Sequence, residues 1–425
     1  MKQVLPFLLA VGAWLIAATD IAAQELPLKP RPDAFAPTEE AAASKAIIMA
    51  STTDEMADWD RYPTYGTYIA MMEGWATQYA SLCRLDTIGQ SVQGRLLLSI
   101  VIDVPGTAKG SRRQFFYTST MHGDELTGYV MMLRLIDTLL KGYGTNEQYT
   151  DLLDNVEVYI NPLANPDGTY AGGDQTVSSS KRYNANNVDL NRNFPDSFGS
   201  APVNTQQAEV TAMIDYATAH HFLMSANLHG GSEVMNYPWD SFTSAQNPHP
   251  KSDWWQAVCK RFVDTSRTYS AYHFMDVNSQ GYIAGGDWYV IPNGRQDYMN
   301  YYHDCLELTM ELSSIKRLDC AQLPEYWRFL QHSLVNYIAE VEELEWNGEG
   351  VATAAPAASL TVYPNPARDR VFLSVAPREA VLLYDMHGRC VMRQEAGTQL
   401  ITLDALPRGV YLLRSGNLTA KIVRQ

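Results

Sequence analysis

Short runs of β-branched and aromatic residues alternate with longer stretches of helical apolar spacing between residues 65 and 344, and no other feature constrains the fold as much. The strand-like runs are 82–85, 95–101, 114–118, 156–161, 222–228 and 306–312, and the helix-like stretches are 65–79, 126–140, 205–219 and 324–344. A strand buries alternate residues and a helix buries one stripe, so each needs the other's apolar face as cover. The expected architecture is α/β, a mixed and mostly parallel sheet with helices on both faces. Ligands bind such sheets at the carboxyl ends of strands, where polar loops begin.

The pattern stops at 346–358, a linker of small residues. Beyond it, 359–425 holds short alternating segments at 360–363, 371–375, 381–384, 399–403, 410–414 and 420–423, separated by turn residues. Strands this short and closely spaced imply a small all-β sandwich. At the other end, Lys2, an apolar run over 4–18 and the small residues Ile21-Ala-Ala23 form a secretory signal peptide spanning 1–23. An uncleaved anchor is the alternative, although the run is short for a spanning helix and no later stretch is long enough to cross a bilayer. Residues 24–51, rich in Ala, Pro and Glu, read as a flexible arm or short leader, and the large α/β unit follows over 52–345.

The net charge of -15 disfavours nucleic acid and anionic lipid as main partners, because both require a basic face, and favours a cationic ligand. Five cysteines, Cys83, Cys259, Cys305, Cys320 and Cys390, include no CxxC pair. Export permits disulfides, with Cys305 and Cys320 the nearest pair in sequence, and buried free thiols are equally compatible.

Chemistry-bearing residues gather at the strand ends. His122-Gly-Asp-Glu125 follows the strand-like run over 114–118, and a histidine and a glutamate at this spacing can hold a divalent cation. His229, at the end of the run over 222–228, supplies a third ligand. Two histidines and one carboxylate leave a coordination position open for water, the arrangement of a hydrolytic zinc site. Glu311 lies inside an apolar strand, where an unpaired carboxylate is costly, so it faces either a cleft or a salt-bridge partner. Asn191 and Arg192 stand side by side with Arg182 upstream, and a guanidinium beside an amide suits a carboxylate ligand. Asp124 acquires no role.

Taken together, His122-Gly-Asp-Glu125, Asn161-Pro-Leu-Ala-Asn-Pro-Asp-Gly168, Asp189-Leu-Asn-Arg-Asn-Phe-Pro-Asp196, the stretch 225–240, Trp288-Tyr289 and Glu307-Leu-Thr-Met-Glu311 resemble the zinc metallocarboxypeptidases, in the branch of carboxypeptidases D, E and N. The resemblance covers residues 62–341. It implies one Zn2+ held by His122, Glu125 and His229, with Asp189 orienting His122. It implies Glu311 as the general base and acid, and Arg182 as the group that polarises the scissile carbonyl. Asn191 and Arg192 match the pair that binds the terminal carboxylate of a peptide or protein, and Tyr289 the residue that closes over it.

For residue preference, Asp240 and Gln296 match pocket residues of the branch that removes Lys or Arg. The family's Gly-Gly-Met-Gln-Asp is here Asn293-Gly-Arg295-Gln-Asp297, which brings a cation to the neighbourhood of the pocket. Arg295 either repels basic side chains, pairs with Asp240 or points to solvent, and preference for acidic ends is the corresponding alternative. Trimming of cell-wall peptides by an amidase and a non-catalytic binding module are the other readings, the latter disfavoured by the joint presence of the metal set and Glu311.

The tail carries a second resemblance. Leu360-Thr-Val-Tyr-Pro-Asn-Pro-Ala367, Val381-Leu-Leu-Tyr-Asp-Met-His-Gly-Arg389, Leu406-Pro-Arg-Gly-Val-Tyr-Leu-Leu413 and Lys421-Ile-Val-Arg-Gln425 resemble the sorting domain of the type IX (Por) secretion system. This implies a Bacteroidetes bacterium, passage through the periplasm, engagement of the type IX machinery, and display on or release from the outer membrane.

Overall fold

The computed structural model describes residues 47–104, 112–198, 205–344, 362–363, 365–373, 377, 380–385, 389–415 and 418–424. The stretches read as signal peptide and linker, and most of the one read as an arm, lie outside them. In chain order the strands of the large unit are β1 (Met49–Ala50), β2 (Tyr62–Pro63), β3 (Cys83–Gln90), β4 (Leu96–Ile102), β5 (Arg113–Ser119), β6 (Val156–Asn161), β7 (Phe222–His229), β8 (Ser232–Tyr237), β9 (Tyr282–Ala284) and β10 (Leu306–Ser313). Eight of them form one sheet in the order β3-β4-β6-β5-β7-β10-β8-β9. Its middle is parallel, with β6, β5, β7 and β10 running the same way. Antiparallel pairs join β3 to β4, β4 to β6 and β10 to β8.

Helices cover both faces. On one, α1 (Tyr65–Gln78), α2 (Thr127–Gly142), α5 (Ser252–Arg267) and α7 (Leu323–Ala339) pack over a continuous apolar core that includes Phe115, Tyr117, Leu228, Leu308 and Met310. On the other, α4 (Ala208–Ala219) and α6 (Arg295–Tyr302) contribute Val210, Met213, Tyr298 and Met299 to a smaller cluster with Phe116 and Tyr159. The split follows from strand alternation, since Phe115 and Phe116 are neighbours and point to opposite faces. A short helix α3 (Glu147–Asn155), with Asn146 accepting from the Tyr149 N–H at its start, leads straight into β6.

Two glycines fix how the His122 segment is carried. A Cβ at Gly128, in the first turn of α2, would stand 2.4 Å from Ser119 Oγ and 2.9 Å from Leu228 Cβ. A Cβ at Gly123 would stand 2.4 Å from the Gly168 carbonyl carbon. Close approach of backbone to strand and loop therefore seats the turn between β5 and α2.

The β1 strand lies within the stretch read as an arm. It pairs in parallel with β2, and the Ile48 N–H donates to Cys320 Sγ at 3.2 Å, so order starts earlier than composition alone suggests. All five cysteines are free, and Cys305 and Cys320 lie in different clusters. In the tail, Val362–Tyr363, Arg370–Leu373 and Leu400–Thr402 form a three-stranded sheet. Cys390–Gln394, Val381–Tyr384, Gly409–Ser415 and Leu418–Arg424 form a four-stranded antiparallel one. The two share a core of Val371, Leu383, Ile401, Leu413 and Ile422. Among the described residues no helix is long and apolar enough to cross a membrane.

Candidate active site

Register delivers the site. On β7 the alternate residues Ser225, Asn227 and His229 share a face, and on β10 so do Glu307, Thr309 and Glu311. Parallel pairing sets Glu311 opposite His229 at the carboxyl ends of both strands, and Ser119, at the end of β5, opposite Leu228. The turn after β5 then brings up His122 and Glu125.

Three donors converge there. His122 Nδ1, His229 Nδ1 and Glu125 Oε2 stand 2.8–3.0 Å from one another, and all three residues are buried. Two ring nitrogens and a carboxylate oxygen converging this closely fit a zinc ion, whose bonds to such atoms are about 2.0–2.2 Å long. Burial alone would raise the Glu125 carboxyl, but the His122 and His229 rings hold it well below its ordinary range. The His229 ring is pushed down to about 4 by burial and by His122, which keeps a nitrogen free to ligate. Behind them Asp189 Oδ1 meets His122 Nε2 at 3.1 Å. Its other oxygen accepts from Arg182 Nε at 3.0 Å.

A cleft of about 300 Å³ opens over this cluster. His122, His229, Arg182, Asn191, Arg192, Tyr289, Glu311 and Asp240 all line it, together with Asn236, Ile291 and Thr309, which the sequence reading did not single out. Glu311 is buried, and its Oε2 has no hydrogen-bond partner. Burial and the nearby Glu125 raise its carboxyl to about 8, against the opposing pull of His122, Arg182 and Lys316. Asn191 Oδ1 accepts from the Arg295 N–H at 2.9 Å, so its Nδ2 is the group it can offer a ligand.

Asp240 lies at one end of the cleft. Gln296 Nε2 donates to its Oδ1 at 2.9 Å and approaches Asn236 Oδ1 at 3.3 Å. A Cβ at Gly285 would fall 1.8 Å from the same Asp240 oxygen, so only glycine leaves room for the carboxylate. Asp297 accepts from the Asp240 and Ser241 N–H groups, fixing the loop. Burial, and the neighbouring Asp297, push the Asp240 carboxyl well above its ordinary range.

Arg295 neither pairs with Asp240 nor points to solvent. It is buried, its Nη2 pairs with Glu307 Oε2 at 3.0 Å, and its guanidinium lies over the Phe116 ring. It is not among the residues lining the cleft. The partner, Glu307, sits two residues before Thr309 and four before Glu311 on the same strand face, and that alternation was the available signal. Lys316 is a further residue the sequence left unmarked. Its Nζ lies 3.4 Å from Glu125 Oε1 and 3.5 Å from Asp124 Oδ2, which gives Asp124 a partner.

A mixed sheet bearing a buried His2Glu cluster under a cleft with an orphaned carboxylate defines a metallohydrolase-type centre. Residues 68–333 match the model of the zinc carboxypeptidase family, and the chain belongs to that family, whose members use zinc. Residues 361–425 match the secretion system C-terminal sorting domain. Among relatives, rat carboxypeptidase D is 34% identical over 281 residues, covering 63% of this chain and 20% of that protein. Mouse carboxypeptidase M is 34% identical over 283 residues, 64% of each. The chain thus spans about a fifth of the length of the carboxypeptidase D proteins it matches. The fold is shared with thrombin-activatable fibrinolysis inhibitor (TM-score 0.57, 17% identity, 67% of this chain and 76% of that one). It is shared equally with carboxypeptidase A from Helicoverpa armigera (TM-score 0.57, 19% identity, 71% and 78%).

Proposed function

We propose that this chain is an exported zinc-dependent carboxypeptidase that removes single C-terminal residues from peptides or proteins, with preference for Lys or Arg. The observation that carries it is the meeting, in one cleft, of a three-donor metal cluster, an orphaned Glu311 oxygen, the Asn191 and Arg192 pair, and the buried Asp240. His122, Glu125 and His229 would hold the zinc, with Asp189 orienting His122. A zinc ion held there supplies Lewis acidity to a water and to the scissile carbonyl.

The remaining steps belong to the chain's own side chains. Arg192 and Asn191 Nδ2 bind the terminal carboxylate, so that only a chain end, and not an internal bond, is registered over the reacting centre. Glu311 takes a proton from the attacking water at Oε2 and passes it to the leaving amine. Arg182 donates to the developing oxyanion, and Tyr289 closes over the bound end. Asp240, oriented by Gln296, receives the cationic side chain. Burial of the Arg295 guanidinium against Glu307 supports this preference over an acidic one, since that cation does not face the pocket.

A library of peptides with varied ends, incubated with and without a chelator and analysed by mass spectrometry, tests the reading. Loss of single terminal Lys or Arg, abolished by metal removal and restored by zinc, is expected; internal cuts or full activity of the metal-free protein would overturn it. The match of 361–425 supports export by the type IX machinery, through the periplasm to the outer surface of a Gram-negative bacterium. Deleting 359–425 is expected to retain the peptidase inside the cell, and unchanged release into the medium would refute that role.

A further inference from the structure

Arg295 is buried on the face of the sheet that carries the site, and its contacts run in two directions. Its Nη2 makes an ion pair with Glu307 Oε2 at 3.0 Å, and Glu307 in turn accepts from Ser225 Oγ at 2.7 Å. Its Nη1 donates to Thr118 Oγ1. From Thr118 Oγ1 the side chain of Asn227 continues, its Oδ1 at 3.1 Å and its Nδ2 2.7 Å from His229 Nε2. The backbone N–H of Arg295 donates to Asn191 Oδ1 at 2.9 Å.

We propose that Arg295 is a positioning residue that ties the metal centre to the carboxylate-binding end of the cleft. Anchored on Glu307, the guanidinium holds Thr118, Thr118 holds Asn227, and Asn227 holds the ring of His229. Through its main chain the same residue orients Asn191. This rests on the reading of His229 as a zinc ligand and Asn191 as a substrate-binding group.

Strand register makes the relay possible. Thr118 of β5 and Thr309 of β10 both lie opposite Asn227 of β7, and Glu307 lies opposite Ser225. A single arginine entering from α6 therefore reaches two strands at once. Thr118, Glu307 and Arg295 are all buried, away from bulk solvent. The chain also fixes the ring's tautomer. A ring that ligates through Nδ1 keeps its hydrogen on Nε2, which must donate. Asn227 turns its Nδ2 to the ring and its Oδ1 to Thr118 in the structure; with zinc on Nδ1, a half-turn of the amide would present oxygen to the ring and nitrogen to Thr118 Oγ1, which would then accept from both Asn227 and Arg295. Removing such a support weakens zinc binding about 10–100-fold in comparable sites.

Three variants of the full chain test this, each read by zinc affinity in chelator competition, by thermal melting of the metal-free protein, and by KM and kcat on a peptide with a C-terminal Arg. Thr118→Val breaks the relay and leaves the ion pair intact; the metal-free melting point is expected to drop, because the buried Arg295 Nη1 loses its acceptor, and zinc affinity is expected to fall about tenfold or more. Thr118→Ser, which keeps the hydroxyl, is expected to restore zinc affinity. Since Arg295→Met alone would strand a buried carboxylate, the double variant Arg295→Met with Glu307→Gln removes both charges; it is expected to weaken zinc and to raise KM more than it lowers kcat. Zinc affinity equal to the parent's in both Thr118→Val and the double variant overturns the relay while leaving the zinc reading intact. A parent chain that binds no zinc removes that reading, and the relay with it.

Discussion

Glu311→Gln is expected to lower kcat by roughly 10²–10⁴-fold, the usual contribution of a positioned general acid and base, while zinc content stays at one ion per chain. Glutamine keeps the shape and loses the ability to exchange a proton. The surroundings of Glu311 make the separation clean. Its Oε2 has no partner, so the substitution breaks no hydrogen bond made by that atom, and the three metal donors are contributed by other residues. Burial and Glu125 have already raised its carboxyl to about 8, so an amide there also removes a carboxylate that is poorly solvated. Turnover within tenfold of the parent at equal zinc content would refute the role given to Glu311.

Asp240→Asn is expected to reduce kcat/KM on peptides ending in Arg or Lys on the order of a hundredfold, the loss typical when one partner of a buried charge pair is removed. Peptides ending in Leu should change little, so the ratio of the two substrates is the measurement. A pH dependence accompanies it. Burial and Asp297 raise the Asp240 carboxyl well above its ordinary range, so the unliganded pocket takes up a proton at a higher pH than a solvated carboxylate does. A cationic side chain competes with that proton, so binding releases it. Binding of basic ends should weaken as pH falls through the raised value, and binding of neutral ends should not. Identical pH profiles of KM for the two substrate types would contradict the assignment of Asp240.

Much of this site was legible in the sequence because its parts sit at strand ends flanked by strongly apolar runs. His122, Glu125, His229 and Glu311 stand out there, and the structure gathers all four at the carboxyl ends of the central strands. The elements that escaped did so for different reasons. β8 is buried along its whole length but reads Ser232-Glu-Val-Met-Asn-Tyr237, with polar residues that hydrogen-bond inside the fold, so neither alternation nor an apolar run betrays it. α5 buries Trp255, Val258, Cys259, Phe262 and Val263 at helical spacing, a signal present in the sequence but overshadowed by its Trp pair and charged residues. Arg295 was misread for a more instructive reason. Its three readings, repelling basic side chains, pairing with Asp240 or pointing to solvent, looked only to the pocket and the surface. Its true partner is on another strand, and only the placement of α6 over β10 brings Glu307 within reach.

The order of the sheet has one further bearing, on the birth of the protein. β7 and β8 are consecutive in the chain, joined through Gly230 and Gly231, yet β10 lies between them. The two strands must stay parted until a segment made some seventy residues later is inserted, and long-range pairing of this kind forms late. A nascent chain that has reached β8 already contains His122, Glu125 and His229 but not Glu311. Such a chain holds all three residues of the metal cluster, but the cleft above them is completed only when β10, with Thr309 and Glu311, is inserted between β7 and β8.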